Sequence, residues 1–130
     1  MKNIIDFFDY HYYRVAKFYF KRDGIGAITA LISVTSVQVW VLINILLFVE
    51  GLFYNEIEKF KYYKVIYFVI VIGVFLYNRN RYKNKYLDYR ERWKNEDIKL
   101  KRNRGVIIII TIILAWSLIF INGIFFNRFK

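Results

Sequence analysis

Two long stretches of the chain are apolar and contain no charged residue. The first runs from Ile25 to Val49, which is 25 residues, and the second from Gly105 to Asn127, which is 23 residues. A helix needs roughly 20 residues to cross the ~30 Å hydrocarbon core of a bilayer, and both stretches exceed the ~7–15-residue core of a signal peptide. The pattern therefore predicts two membrane-spanning helices, at residues 25–50 and 105–127.

A third apolar stretch, at residues 65–78, is shorter. It reaches spanning length only if residues 62–64 join it, with the Lys64 ammonium extending to the membrane interface. We predict a second spanning helix at residues 62–78, joined to the first by a polar external connector at residues 51–61. The alternative is a segment that lies along the surface, or enters the membrane and returns to the same side.

Apolar and aromatic residues near the N-terminus recur with the period of a helix. Steps of three and four join five of them: Ile4, Phe8, Tyr12, Val15 and Tyr19. Acidic residues come early in this segment and basic residues late, which suits the dipole of a helix. We therefore predict an amphipathic helix over residues 1–24 that lies along the inner membrane surface, where rings meet lipid and charges meet water.

Between residues 79 and 104 the chain becomes strongly basic, with eleven Lys and Arg against four Asp and Glu. Aromatic residues recur there at the spacing of a coiled-coil seam: Tyr82, Tyr86, Tyr89 and Trp93. We predict a helical segment here, and since no Gly or Pro interrupts residues 74–104, the second membrane helix could continue into it. A turn is expected near residues 95–97, where Asp97 caps the third membrane helix.

The distribution of Lys and Arg predicts the orientation, because these residues gather on the cytoplasmic side of membrane proteins. With three spans, the N-terminal segment and the second connector lie on one side and hold 16 of them, against 5 on the other side. We therefore predict a cytoplasmic N-terminus and an external C-terminus. The predicted fold is an all-α membrane protein with an N-terminal interfacial amphipathic helix, three transmembrane helices, and a basic helical cytoplasmic segment between the second and third.

Little in the sequence points to an enzyme. The chain has no cysteine and one histidine, His11, which we interpret as an interfacial residue. Nucleophile, zinc-protease and phosphate-loop motifs are absent. The acidic residues of the basic segment are expected to pair with neighbouring bases, as in Asp88–Arg92 and Glu91–Lys94. We expect no catalytic activity, no cofactor and no metal site.

Polar and small residues in the first and third predicted membrane helices fall on one stripe of each helix. The stripes include Thr29, Ser33, Ser36 and Asn44 in the first helix, and Thr111, Ala115 and Asn122 in the third. An amide in hydrocarbon needs a partner. Close helix packing satisfies this need, and so does the wall of a narrow pore in a homo-oligomer. Gln38 lies opposite the first stripe and indicates a second interface.

The bases of the second connector exceed what orientation requires, and aromatic rings lie among them. We predict a site for an anionic ligand, a nucleotide or an oligonucleotide, formed by eight residues: Arg79, Arg81, Lys83, Lys85, Tyr86, Arg90, Arg92 and Trp93. Bases and stackable rings together are the ingredients of single-stranded nucleic-acid binding. Two alternatives stay open. The bases can fix topology and bind anionic lipid, and the rings can form a seam between neighbouring subunits.

This layout resembles the small membrane effectors of bacterial antiphage systems, such as the membrane component of Hailong-type systems. The resemblance is architectural: an interfacial N-terminus beginning at Phe7-Phe8, a few hydrophobic helices, and the basic aromatic segment at residues 79–104. It implies an oligomeric ion-conducting effector in the bacterial inner (cytoplasmic) membrane. It also implies that a nucleic-acid-like ligand, made by a partner nucleotidyltransferase, holds the effector closed.

The residues themselves leave more than one function open. A channel-like effector controlled by an anionic ligand is the first hypothesis. The second is a non-conducting membrane adaptor or assembly protein whose basic segment binds anionic lipid or a protein partner. A small-solute transporter is less favoured, because three helices per chain are few for alternating access.

The charge distribution yields a direct test of topology. A C-terminal alkaline phosphatase fusion should be active and a C-terminal green fluorescent fusion dark, because the C-terminus is predicted to lie outside. The reverse result would remove the second helix from the predicted spans.

Overall fold

The structure, a computed structural model, describes residues 3–53 and 63–126. Within those ranges all regular elements are helical: α1 (Ile4–Phe18), α2 (Phe20–Asp23), a 3-10 turn (Gly24–Gly26), α3 (Ile28–Phe53), α4 (Tyr63–Tyr82), α5 (Tyr86–Arg92) and α6 (Ile98–Phe125). The prediction of an all-α chain is confirmed. Most of the predicted external connector lies outside the described residues.

Two of these helices, α3 and α6, are long and apolar enough to cross a membrane. The qualifying stretches are Ile28–Leu52 and Ile98–Phe125, with mean hydropathies of 2.1 and 2.6. In each helix, only 22% of the most apolar stretch is buried inside the protein. The core helix of a soluble protein is instead covered by other parts of its own chain. The described chain therefore leaves most of this apolar surface uncovered, as contact with lipid requires. α4 does not meet the same criterion, so the predicted count of three spans is not confirmed.

α3 and α6 run parallel to each other. The rings of Trp40 and Trp116 pack with their centroids 4.7 Å apart. Further along both helices, the rings of Phe48 and Phe125 lie 6.4 Å apart. Because both contacts move in the same direction along the two helices, their N-terminal ends lie at the same end of the bundle.

α4 packs on α3 in the opposite direction. Asn78, near the end of α4, contacts Thr35, near the start of α3. Earlier in α4, Val71 lines a groove together with Ile43, which lies later in α3. α3 is therefore the central helix, since it packs along both α4 and α6.

Two buried groups of polar side chains join these helices. The Asn122 Nδ2 atom donates to Asn44 Oδ1 at 2.9 Å and to the Asn44 carbonyl at 3.1 Å. On the other side of α3, Asn78 Nδ2 donates to Gln38 Oε1 at 2.7 Å and to Thr35 Oγ1 at 3.1 Å. Such bonds favour helix association because hydrocarbon offers amides no other partner. The predicted second interface at Gln38 is thus a contact within the chain.

The polar residues of the predicted stripes also have partners inside the chain. Asn44 pairs with Asn122, and Ser33 Oγ lies 2.9 Å from His11 Nε2. Of the two explanations given for these stripes, packing between helices of one chain is therefore the one observed at Asn44 and Ser33. The homo-oligomer stays a prediction.

The middle of α1 is buried, and the prediction that this helix lies along a membrane surface is not confirmed. Five consecutive residues, Asp9 to Tyr13, are between 0% and 5% exposed. Consecutive residues cover all sides of a helix, so the middle of α1 is enclosed on every side. Ile4, which begins the predicted apolar face, is instead 71% exposed. α1 packs against α3 and α5.

The turns between helices depend on local chemistry. Asp23 Oδ2 accepts a hydrogen bond from the Thr29 backbone N–H at 2.7 Å and so caps α3 after the turn at Gly24–Gly26. The hydrogen bonds from Thr29 and Arg22 lower the pKa of Asp23 to about 2. Asp97 caps α6, as predicted, by accepting from the Lys99 N–H at 2.7 Å.

The basic segment is helical, but the second membrane helix does not continue through it. α4 ends at Tyr82, and Asn84 adopts a left-handed backbone with φ of 58°. Asn enters this conformation more easily than other non-glycine residues, so the chain turns without Gly or Pro. α5 then folds back against α1. α6 begins at Ile98, directly after the predicted cap at Asp97 and seven residues before the predicted span at residues 105–127.

The Asn44–Asn122 pair should stabilise the individual chain. Asn44→Leu and Asn122→Leu should each lower the free energy of unfolding by roughly 0.5–2 kcal/mol, and the double variant should lose less than the sum. Denaturation in mixed micelles, followed by circular dichroism, measures this coupling. Additive losses, or a loss of oligomer with unchanged chain stability, would contradict a pair within one chain.

Candidate functional site at the α1 end of the bundle

Three consecutive residues of α1 each bond to a different long helix or to the segment leading into one. Asp9 accepts three hydrogen bonds from Arg81 of α4, two from Nη2 at 2.8 Å and 3.0 Å and one from Nε at 3.2 Å. The Tyr10 hydroxyl donates to Glu96 Oε2, just before α6, at 2.6 Å. His11 Nε2 lies 2.9 Å from the Ser33 hydroxyl of α3. α1 therefore joins all three long helices at one end of the bundle.

The charged groups in this junction are desolvated and paired. The Asp9 side chain is 7% exposed and that of Arg81 28%. The Glu96 carboxylate, 5% exposed, also accepts from Arg104 Nη1 of α6 at 2.6 Å. Burial, followed by the hydrogen bond to Glu96, raises the pKa of Tyr10 to about 12. Breaking one partner of a buried pair is costly, because the other charge is left uncompensated.

Aromatic rings fill the space between α1 and the basic segment. Tyr12 stacks on Tyr82 with centroids 4.4 Å apart and planes at 7°. Trp93 packs against Tyr10 and Tyr13, with both centroid distances at 5.2 Å. The aromatic seam predicted from the spacing therefore forms within one chain, against α1. We call α1, α2 and α5 together the cap.

The two aromatic residues of the predicted ligand site are part of this packing. Tyr86 is 3% exposed and stacks on Phe20 at 5.0 Å. Trp93 is half-buried, and its neighbours include Tyr89 at 5.3 Å. In this conformation the Tyr86 ring offers no open face to a base, and Trp93 offers part of one.

The six predicted basic residues divide into three groups. Arg81 and Arg92 face α1, where they bond to Asp9 and to Asp6. Arg79 and Lys83 line a cleft between α3 and α4. Lys85 and Arg90 are exposed on α5. The structure thus does not bring all six to one surface.

The predicted ion pairs along the basic segment are observed in part. Lys94 and Glu91 lie 3.6 Å apart, as predicted. Asp88 pairs with Lys85 at 3.2 Å, whereas Arg92 contacts Asp6 of α1 at 3.0 Å. Arg92 prefers a partner distant in sequence because α5 lies against α1.

The remaining polar residues of the predicted stripes are also placed. Thr29 bonds to Arg22 and Asp23 at the start of α3. Ser36 lines a groove between α3 and α4. Thr111 donates to the Ile107 carbonyl of its own helix at 2.8 Å. These residues do not converge on one pore-like surface within the chain.

Sequence reasoning missed the junction residues Asp9, Tyr10 and Glu96. A signal existed for Asp9, because a carboxylate inside a run of aromatic residues requires a cation when the run is buried. Its partner Arg81 lies 72 residues away in sequence, so periodicity alone could not identify it.

The described residues contain no group of three or more His, Asp or Glu side chains that could hold a metal ion. Comparison of the chain with protein-family models, curated proteins and solved structures finds no match. The functional argument therefore depends on the chain's own residues.

His11 should make the stability of the junction depend on pH. Its ring is fully buried, and this desolvation lowers its pKa from 6.5 to about 4. The unfolded chain therefore binds the proton more readily, and the free energy of unfolding should fall as pH falls from about 6.5 to about 4. The expected loss is up to about 3 kcal/mol, since one pKa unit is worth ~1.4 kcal/mol.

A matched variant isolates the contribution of His11 from other effects of pH on the protein. His11→Gln keeps a hydrogen-bonding group near Ser33 but does not titrate. The difference between the two proteins, measured by chemical denaturation across this pH range, isolates the histidine. Parallel pH profiles would contradict the assignment.

Proposed function

We propose that this chain is a membrane effector that responds to an anionic ligand bound at its cap. The cap is cytoplasmic, α3, α4 and α6 cross the membrane, and the C-terminus is external. The effector is a homo-oligomer, and its ligand is a nucleotide or oligonucleotide supplied by a partner such as a nucleotidyltransferase. The resemblance noted above favours a role in antiphage defence.

The junction of α1 with the three long helices carries this proposal. Asp9, Tyr10 and His11 link α1 to Arg81 of α4, Glu96 before α6 and Ser33 of α3. A change in the position of α1 therefore alters contacts to all three long helices together. A segment that only oriented the protein, or only tethered it to lipid, would not require α1 to be buried at this junction.

Support for a third span comes from the arrangement of α4. Its 20 residues correspond to about 30 Å of helix. It runs antiparallel to α3, and Arg79 and Arg81 lie in its last turn. Three crossings put the basic ends of α4 and α6 on the same side as α1, in agreement with the distribution of Lys and Arg.

The charge of the basic segment supports an anionic ligand. From residue 79 to residue 104 this segment has seven more bases than acids, and its exposed bases include Arg90 on α5 and Lys85 just before it, where Lys85 also pairs with Asp88. Because Tyr86 is buried, contacts to phosphate rather than base stacking dominate the proposed recognition. Trp93 can contribute one partial stacking face at the edge of this surface.

A second candidate, a non-conducting membrane adaptor, is favoured by one observation. The amides of Asn44, Asn78 and Asn122 bond within the chain. The outward surfaces of α3 and α6 are rich in exposed Ile, Leu and Phe. A pore formed by several copies would need polar groups on those surfaces, or a rearrangement of the helices that releases the amides.

Ion flux tests the proposal. In liposomes that carry the protein, a short single-stranded oligonucleotide should change ion flux. Asp9→Asn leaves the exposed bases of α5 in place, so this variant should still bind the oligonucleotide but show a much smaller flux response. Lys85→Gln combined with Arg90→Gln should weaken binding roughly tenfold, equivalent to ~1.4 kcal/mol.

A matched variant separates these effects from general damage. Lys99→Gln combined with Arg102→Gln removes the same number of positive charges as the Lys85 and Arg90 variant, but from the start of α6, and should behave like the wild type. Wild-type liposomes that conduct nothing with or without ligand would exclude the effector and leave the adaptor. An Asp9→Asn response equal to that of the wild type would show that the junction does not transmit binding.

A further inference from the structure

We propose that the cleft between α3 and α4 is a binding site for one anionic phospholipid. Its phosphate lies between Arg79 and Lys83, and one acyl chain follows the apolar groove along the two helices. This inference rests on the proposed membrane placement of α3 and α4 and goes beyond it. It assigns to two of the predicted basic residues a ligand different from that of α5.

The part of the site proposed for the headgroup is a cleft of about 480 Å³ that is lined by both basic and apolar residues. Its lining consists of Tyr12, Gly26, Ile28, Leu31, Leu76, Arg79, Asn80, Tyr82, Lys83 and Asn84. Ile28 begins the apolar stretch of α3, and Arg79 lies in the last turn of α4. The bases are therefore located where that stretch begins, which is the level of a lipid headgroup.

The charge in this cleft has one sign. No Asp or Glu is among the described residues that line it. Within the described chain, neither Arg79 nor Lys83 forms an ion pair, in contrast to Arg81 and Arg92. Asn80 and Asn84 add amide donors for the oxygens of a headgroup. The cleft is thus complementary to a phosphate.

An apolar groove of about 490 Å³ lies next to this cleft on the same two helices. It is lined by Ile32, Thr35, Ser36, Val39, Trp40, Ile43, Val71, Ile72, Phe75 and Leu76. Leu76 lines both spaces, and Leu31 of the cleft is adjacent in sequence to Ile32 of the groove. The lining is aliphatic and aromatic apart from two hydroxyl groups, which suits a hydrocarbon chain.

The combination distinguishes a phospholipid from a soluble anion. A free phosphate or nucleotide would use the bases but leave the groove empty, and a neutral lipid would use the groove but not the bases. An anionic phospholipid uses both the bases and the groove. Its phosphate lies between the two bases, and its acyl chain lies in the adjoining apolar groove. Basic pockets between transmembrane helices bind lipid headgroups by the same physics.

Native mass spectrometry of the full-length protein in detergent tests the site. Phosphatidylglycerol should form a one-to-one adduct that survives at lower lipid concentration than the adduct of phosphatidylcholine with the same acyl chains. Arg79→Gln combined with Lys83→Gln should weaken phosphatidylglycerol binding roughly tenfold or more and leave phosphatidylcholine binding unchanged. Lys99→Gln combined with Arg102→Gln removes the same charge from the start of α6 and should leave the preference intact.

Further probes examine the groove and the fold. Glycerol phosphate, which lacks acyl chains, should not compete, and Val71→Trp, which reduces the space of the groove, should weaken binding while Arg79 and Lys83 are present. Circular dichroism and size in detergent establish that each variant is folded. Equal binding of the two lipids by the wild type, equal loss in the Lys99 and Arg102 variant, or competition by glycerol phosphate would overturn the proposal. The oligonucleotide-dependent flux does not enter this experiment, so the two proposals fail separately.

Discussion

The pair between the Asp9 carboxylate and the Arg81 guanidinium is the contact on which the α1 end of the molecule depends. The side chain of Asp9 is 7% exposed, and its carboxylate accepts three hydrogen bonds from two nitrogens of the guanidinium. A buried carboxylate without this partner would be strongly unfavourable. The pair therefore holds α1 at the end of α4, where Tyr10 and His11 reach their own partners.

Burial of α1 also decides how the basic segment is used. Its aromatic residues pack inward, as in the stack of Tyr12 on Tyr82. Its bases then separate: Arg81 and Arg92 face α1, while others stay on exposed surfaces. Because most of its aromatic rings are buried, the exposed surface would bind a ligand mainly through contacts between basic side chains and phosphate groups. For this reason charge, more than stacking, supports the proposed ligand.

The long helices follow a different rule from the cap. Their polar side chains bond to each other across α3, as Asn122 does with Asn44 and Asn78 with Gln38. Their apolar side chains remain largely uncovered by the described chain. A lipid environment favours this arrangement, in which the amides bond to each other between the helices and the apolar side chains face outward. A role in ion conduction would therefore require contacts beyond those of a single chain, whereas binding of lipid or a partner would not.

The sequence by itself determined the helical class, the two long apolar stretches and the Asp97 cap of α6. Each of these depends on residues that are neighbours along the chain, so composition and periodicity reveal them. The tertiary structure alone decided that α1 is buried, that α5 folds back on it, and that Tyr86 faces Phe20. These outcomes depend on partners such as Tyr10 and Glu96, which are 86 residues apart. A local pattern shows that a side chain needs a partner, but only the packed chain determines which partner lies within reach.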